Sequence, residues 1–193
     1  MLQQAKECRT QHNRHQHYSV GLARTSDEVV EAQRLRYRVF AEEMGANIVT
    51  RVAGVDADLY DPHCEHLIVR DEEAGKIVGT YRILTPEAAK KVGRYYSEGE
   101  FDLTRLQHLL CNTVEVGRSC IDADYRNGAV IALLWGKLAE FMVHGNYGYL
   151  IGCASVGMAD GGHNAADLYT QLIDAHLAPL EYRVFPRNRL PFE

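Results

Sequence analysis

Thr113-Val-Glu-Val-Gly-Arg-Ser-Cys-Ile121 and, after three intervening residues, Tyr125-Arg-Asn-Gly-Ala-Val-Ile-Ala-Leu-Leu-Trp135 are the stretches from which the rest of the chain can be placed. The first reads as a central strand whose Gly117 breaks the side-chain packing, a common mark of a bulge. The second puts a glycine ahead of the strongest helix pattern in the chain, Val130 to Val143. Glu115 and Arg118 lie inside the strand, where an unpaired charge costs several kcal/mol to bury, on the order of 3–5 when one partner of a pair is removed. Charges placed there therefore work in paired sets.

More of that set lies upstream. Arg36 stands four residues before Phe40 and shares a helix face with it, Asp58 stands three before Asp61, and Arg82 ends an apolar run. Around these, Tyr18 to Ala23 reads as a first strand. Ser26 is positioned to cap a helix that starts near Asp27 and carries Val29, Val30, Leu35 and Val39. From Glu42 to His63 no period holds, and Gly45, Gly54, Pro62, Asp56, Asp58 and Asp61 predict an irregular lid over the sheet. Two strands, Glu65 to Arg70 and Lys76 to Leu84, are joined by a turn containing Asp71 and Gly75. Pro86 closes the second, and a short helix follows from Glu87 to Val92. Arg94 to Asn112 shows no clear pattern, Tyr149 to Cys153 reads as a buried strand, and Asn164 to Leu177 as a last helix. The fold class is α/β or α+β, with strands and helices alternating but without a strict βαβ repeat.

With 193 residues and 46% hydrophobic composition the chain can bury one substantial core. One domain is expected over 18–193, preceded by a polar, His-rich flexible tail over 1–17 with little apolar surface to offset its ordering. A formal charge of -5 and a pI near 6.0 argue against a nucleic-acid binder. The longest apolar candidate, Ala129 to Val143, is interrupted by Gly136, Lys137 and Glu140, and the amino terminus lacks a secretory pattern, so a cytoplasmic protein is expected. Five scattered cysteines without a Cys-x-x-Cys pair predict reduced, mostly buried thiols. His63, Cys64 and His66 lack a third ligand, so no metal is expected.

The ordered set Arg36, Phe40, Asp58, Asp61, Arg82, Phe101, Glu115 and Arg118, followed by Tyr125 to Trp135, resembles the GNAT-fold N-acyltransferases that take a fatty acyl group from acyl carrier protein. Within that superfamily it is similar to the ornithine N-acyltransferases and long-chain N-acyl amino acid synthases, and more distantly to the acylhomoserine lactone synthases. The resemblance runs from about Tyr18 to about Pro186. It implies a mixed, mostly antiparallel central sheet flanked by helices, with the donor's pantetheine arm entering where the central strand splays from its neighbour. Backbone N–H groups over Gly117, Ser119 and Cys120 would then stabilise the oxyanion.

Further roles follow from the same resemblance. Glu115 is the expected base for the incoming ammonium, directly or through water; the other reading, compatible with it, is a buried ion pair with Arg82 and Arg118. Asp58 and Asp61 would grip the acceptor's ammonium groups, Arg82 or Arg118 its carboxylate, and Arg36 would tie the lid to the body. Arg126, Asn127, Gly128 and Ala129 stand where a donor phosphate meets a helix N-terminus. The usual second glycine is missing there, which favours a carrier-protein phosphopantetheine over coenzyme A, with acyl-CoA the other donor. Tyr169 would protonate the departing thiol, or else pack at the sheet edge with a wet hydroxyl. No bound cofactor is expected, and Ser119 with Cys120 has no histidine partner for an acyl-enzyme. The expected partners are acyl carrier protein, met by arginines such as Arg118, Arg126, Arg183, Arg187 and Arg189, and an amino acid, ornithine first. The end of the chain, Tyr182 to Phe192, suits a peripheral membrane contact. Glycine or serinol acylation, lactone synthesis and a non-catalytic acyl-carrier binding module are the alternatives.

Overall fold

The computed structural model describes residues 17–189. The expected tail over 1–17 therefore lies outside the described residues except for His17, whose carbonyl accepts from the Glu72 N–H at 3.0 Å.

β1 (Tyr18–Leu22) leads into α1 (Ser26–Tyr37). The helix is capped one residue earlier than the sequence reading has it. Thr25, in extended conformation, accepts from the Glu28 N–H, and the Glu28 carboxylate returns to the Arg24 and Thr25 amides. This capping box satisfies donors that a helix end otherwise leaves open, and is worth about 1 kcal/mol. The chain does not leave the helix at Val39. It widens into a π-helical turn, Arg38–Glu43, before the irregular segment begins.

β2 (Glu65–Asp71) and β3 (Lys76–Leu84) form a hairpin. α2 (Pro86–Val92) follows, with Thr85 as its cap, proline in the first turn and Gly93 left-handed at φ 96° to end it. The stretch without a sequence pattern holds α3 (Ser97–Glu100) and β4 (Phe101–Asp102), then short 3-10 turns. β5 (Thr113–Ile121), α4 (Ala129–His144), β6 (Tyr149–Ile151), α5 (His163–His176) and β7 (Phe185–Pro186) complete the described chain.

The main sheet has the order β1-β2-β3-β5-β6, antiparallel at the first three junctions and parallel between β5 and β6. This is the mixed, mostly antiparallel sheet that the family resemblance implies. On one face Val130, Leu134 and Leu138 of α4 pack on Leu67, Val69, Val78, Val114 and Val116, each buried leucine contributing roughly 1.5–3 kcal/mol. The approach is close: a Cβ on Gly79 would stand 2.4 Å from Val130 Cγ1, so any larger residue there forces α4 off the sheet. On the other face Ala32, Leu35 and Val39 meet Ile68, Ile77 and Cys120. The carboxyl-terminal β7 pairs with β4 in a separate two-stranded ribbon.

Two departures at β5 and β6 build the site. The glycine of β5 is not the bulged residue. Arg82 pairs with Gly117 and Thr80 with Cys120, so Arg118 and Ser119 together stand opposite the single residue Tyr81. Arg118 takes the left-handed conformation, φ 53°, which is uncommon for a residue with a Cβ. The parallel ladder with β6 ends at Glu115 and Ile151, so Gly152 and Cys153, read as strand, leave the sheet. An added Cβ on Gly152 would lie 2.6 Å from the Val116 carbonyl oxygen; the strands part at the one residue type that fits there.

Candidate active site

The divergence of β5 from the chain after β6 opens two connected spaces. A cavity of about 1140 Å³ is lined by Phe40, Met44, Ile48 and Val49 on the lid side, by Tyr81, Ile121 and Trp135 on the α4 side, and by both edges of the split. A polar pocket of about 80 Å³ is lined by Tyr60, Cys64, Arg82, Tyr96 and Glu115. Val116, Gly117, Arg118, Cys153 and Ser155 line both. A Cβ on Gly117 would meet nothing within 4 Å; this glycine leaves room at the junction and is not there for its φ.

Glu115 is fixed by residues the sequence did not connect to it. Its Oε2 accepts from the Tyr96 N–H at 2.6 Å and its Oε1 from the Ser97 N–H at 2.7 Å, and the Ser97 hydroxyl donates to Oε1 as well. Among the described residues no arginine nitrogen lies within ion-pair distance of Glu115, so the expected salt bridge to Arg82 or Arg118 is replaced by the amino-terminal turn of α3. Three of about four lone-pair directions are used, which leaves Oε2 able to accept one more proton or hydrogen bond. Burial pushes the Glu115 carboxyl above its ordinary range, against the Ser97 and Tyr96 hydrogen bonds and the Arg82 charge that pull it down. A carboxylate shifted in that direction by burial is the more basic for it.

The arginines and aspartates form one lattice between lid and sheet. Arg36, fully buried, donates through Nε to Asp56 Oδ2 at 3.0 Å and through Nη1 and Nη2 to the Asp61 oxygens at 2.8 and 3.1 Å. Its Nη2 also donates to the Asp56 carbonyl. Arg82 holds Asp58 at 2.7 Å and Asp61 at 3.1 Å. Arg118 lies 3.0 Å from Asp56 and 3.5 Å from Asp58. Its Nε–H is not directed at the near Asp56 oxygen, so that contact is an ion pair and not a hydrogen bond. Desolvation alone would raise the Asp61 carboxyl, but hydrogen bonding and charge from Arg36, then Arg82, hold it well below the usual range. Asp61 is thus committed to the framework. Asp58, at the edge of the lattice and less buried, is the aspartate nearer to solvent.

Other residues singled out in the sequence fall apart from this centre. Phe101 sits in β4 against Pro186, and Tyr169 on α5 is 62% exposed; neither lines the two cavities. Ser119 lines the large cavity, as does Cys120, although burial pushes the Cys120 thiol up to about 12. Of the described cysteines Cys120 is buried, Cys64 and Cys153 half-buried and Cys111 exposed, so the expectation of mostly buried thiols does not hold. Before α4, Gly128 is left-handed at φ 92°, Asn127 Oδ1 takes the Ala129 N–H at 3.1 Å, and Arg126 reaches Glu43 at 2.6 Å. Cys153 and Ser97 were not foreseen: Cys153 reads as core strand, and Ser97 sits where no period holds. No spacing in that stretch marks them: α3 starts without a side-chain cap, and the Ser97 amide and hydroxyl are turned to Glu115 instead.

A family model described as an acetyltransferase (GNAT) domain matches residues 35–136. The L-ornithine N(alpha)-acyltransferase of Rhodobacter capsulatus is 36% identical over 179 residues, 89% of this chain and 68% of that protein. The protein of the same name from Brucella abortus is 39% identical over 145 residues, 70% of this chain and 52% of its own length. Among solved structures, the CoA-dependent acyl-homoserine lactone synthase BjaI shares 18% identity at a TM-score of 0.57, over 78% of this chain and 72% of its own. The AHL synthase LasI shares 17% at 0.56, over 84% and 80%. These two establish a common fold. The family model and the likeness to the ornithine acyltransferases together place the chain in the GNAT family, as an acyltransferase.

Proposed function

We propose that the protein transfers a medium or long fatty acyl chain, with or without a 3-hydroxyl, from acyl carrier protein to the α-amine of ornithine. The observation that carries this reading is the meeting, at Gly117, Arg118, Cys153 and Ser155, of a large, mainly apolar cavity with a small polar pocket holding Glu115. A thioester carbonyl at that junction has an acyl-sized space on one side and an amine-sized space on the other. The names of the relatives at 36% and 39% identity supply ornithine as the acceptor.

In this reading Glu115 removes a proton from the incoming ammonium, since only the free amine attacks a thioester. The backbone over Gly117 to Cys120, distorted by the bulge at Arg118, offers N–H groups to the oxyanion, worth on the order of 3 kcal/mol per donor. Arg82, in the pocket wall, and its partner Asp58, which faces the large cavity, meet the acceptor's charged ends, while Arg36 and Asp61 hold the lid. Phe40 lines the acyl space. Arg126 to Ala129 receive the donor phosphate; because Asn127 already takes the Ala129 amide, that loop suits the single phosphate of a carrier protein better than a nucleotide pyrophosphate. A peripheral membrane contact is supported by exposed Leu180 and Phe185, both in contact with Arg105, and flotation with anionic vesicles tests it.

Mass spectrometry of products from the purified protein, given acyl carrier protein or coenzyme A thioesters and a pool of ornithine, lysine, glycine, serinol and S-adenosylmethionine, tests the whole reading. N-acylornithine formed mainly from the carrier-protein donor is expected, and Glu115→Ala lowers it by about 10²–10⁴-fold. A different acylated amine reassigns the acceptor, and a donor that binds without any product refutes catalysis.

A further inference from the structure

A thioester that loses its acyl group leaves a thiolate, and the residue that protonates it is not Tyr169, which is exposed and outside both cavities. Five residues line both cavities, and two of them, Cys153 and Ser155, carry a neutral side chain with a transferable proton. One of these two is wired to the base. Cys153 Sγ lies 3.3 Å from Ser97 Oγ, and the Ser97 hydroxyl donates to Glu115 Oε1. Glu115, Ser97 and Cys153 thus make an unbroken hydrogen-bonded chain from the acceptor pocket to the wall shared with the donor cavity.

We propose that Glu115, Ser97 and Cys153 form a proton relay that returns the proton taken from the acceptor ammonium to the departing pantetheine thiolate. The inference rests on the acyl transfer proposed above. The ammonium gives one proton to Glu115, and the amine lone pair forms the C–N bond at the thioester carbonyl carbon. The C–S bond then breaks and its electron pair leaves on sulfur. Cys153 gives its S–H proton to that sulfur, takes the hydroxyl proton of Ser97, and Ser97 takes the proton held by Glu115. The second nitrogen proton goes to water as the tetrahedral intermediate collapses. All three side chains end as they began, ready for the next amine.

The surroundings of Cys153 fit this role and not that of a nucleophile. Burial raises its thiol above the ordinary range, so it stays protonated between turnovers, whereas an acyl-enzyme needs the thiolate. A weak acid of this kind donates effectively only when its proton is replaced from behind, which Glu115, once protonated, does through Ser97. Proton transfer from a carboxylic acid to an alkyl thiolate is downhill overall, because the two groups differ by about four pKa units in water.

The test compares two donors with the same acyl chain on wild type, Cys153→Ala and Cys153→Ser, at saturating ornithine. One is a pantetheine thioester, and the other an aryl thioester whose thiolate leaves without protonation. Cys153→Ala is expected to lower kcat about 100-fold on the pantetheine donor with KM little changed, and to stay within about threefold of wild type on the aryl donor. Cys153→Ser, which keeps a hydrogen-bonding hydroxyl, is expected to recover most of the loss. Equal loss on both donors, or no loss on the pantetheine donor, overturns the relay while acyl transfer stands. Should Cys153→Ala not fold, Cys153→Val, which also lacks the transferable proton, is read by the same donor comparison. If wild type transfers from neither donor to any amine, the proposed function falls and the relay with it.

Discussion

Arg36→Met tests whether the lid is held by charge. The guanidinium is fully buried, and its removal deletes two bonds to Asp61, one to the Asp56 carboxylate and one to the Asp56 carbonyl. Asp61 keeps Arg82 at 3.1 Å and the Asp58 N–H at 2.8 Å, and Asp56 keeps Arg118 at 3.0 Å. Breaking a buried pair costs about 3–5 kcal/mol when the remaining charge is stranded; the surviving partners put the expected loss near the lower end, about 3 kcal/mol. For a domain of this size that lowers Tm by roughly 6–12 °C. The pH dependence is the sharper readout. In the wild type the Asp61 carboxyl is depressed, so its stabilisation is present above the ordinary carboxylate pKa and is lost as pH falls through the folded value. Without Arg36, burial dominates, the carboxyl rises, and protonation relieves the stranded charge. The stability gap between variant and wild type, measured by urea unfolding, should therefore narrow as pH is lowered from 7 toward 4.5. A gap below about 1 kcal/mol, or one constant with pH, would refute the claim that buried charge fixes the lid.

Gly152→Ala places a methyl 2.6 Å from the Val116 carbonyl while Gly117→Ala meets nothing within 4 Å; the first should lower turnover tenfold or more by reshaping the split, on the order of the 100-fold that a misplacement of about 1 Å can cost, and the second should fold with wild-type Tm. Equal effects of the two in steady-state assays would show that the strand divergence is not what shapes the site. His66 is buried beside Arg36 and Arg82, with its Nε2–H donating to the Asp61 carbonyl at 3.1 Å and Nδ1 without a partner. Burial holds its folded pKa below the ordinary histidine value, so the unfolded chain takes up the proton first and stability should drop as pH falls below about 6.5. Replacing His66 by Asn should flatten the pH 5–7 part of the unfolding profile, and an unchanged slope would assign it to other groups.

Much of this fold was legible locally. β3 and β5 match their sequence ranges because each is rich in β-branched and apolar residues up to a turn signal, Pro86 after the first and Asp122 after the second. The cap of α1 was missed by one residue because Thr25 and Ser26 are both good caps, and Glu28, three residues after Thr25, decides between them. The sequence points to Gly117 for the bulge because a glycine breaks the side-chain packing of the strand. The left-handed φ is instead borne by Arg118, whose guanidinium, anchored beside Asp56 and Asp58, over-determines the conformation.

The site itself was legible as a set of charges but not as a set of partners. Arg36, Asp61 and Arg82 stand out because a charge in an apolar context is expensive, yet a linear reading does not say which carboxylate meets which arginine. Glu115 shows why. The sequence offers Arg118, three residues away, as its partner, but residues an odd number apart on a strand point to opposite faces, and Arg118 itself stands in the bulge that breaks the alternation. The donors that reach Glu115 come from Tyr96 and Ser97, which lie in the stretch with no periodic signal and are delivered by the α2–α3 connection. Cys153 was hidden for the converse reason: Tyr149 to Cys153 looks like uniform core, and only the close contact of Gly152 with Val116 turns the last residues out of the ladder and into the wall between the two cavities. In the proposed reaction donor and acceptor therefore meet where regular structure fails at two neighbouring points, the bulge at Arg118 and the parting at Gly152, and both lie where the period-2 pattern stops predicting the strand.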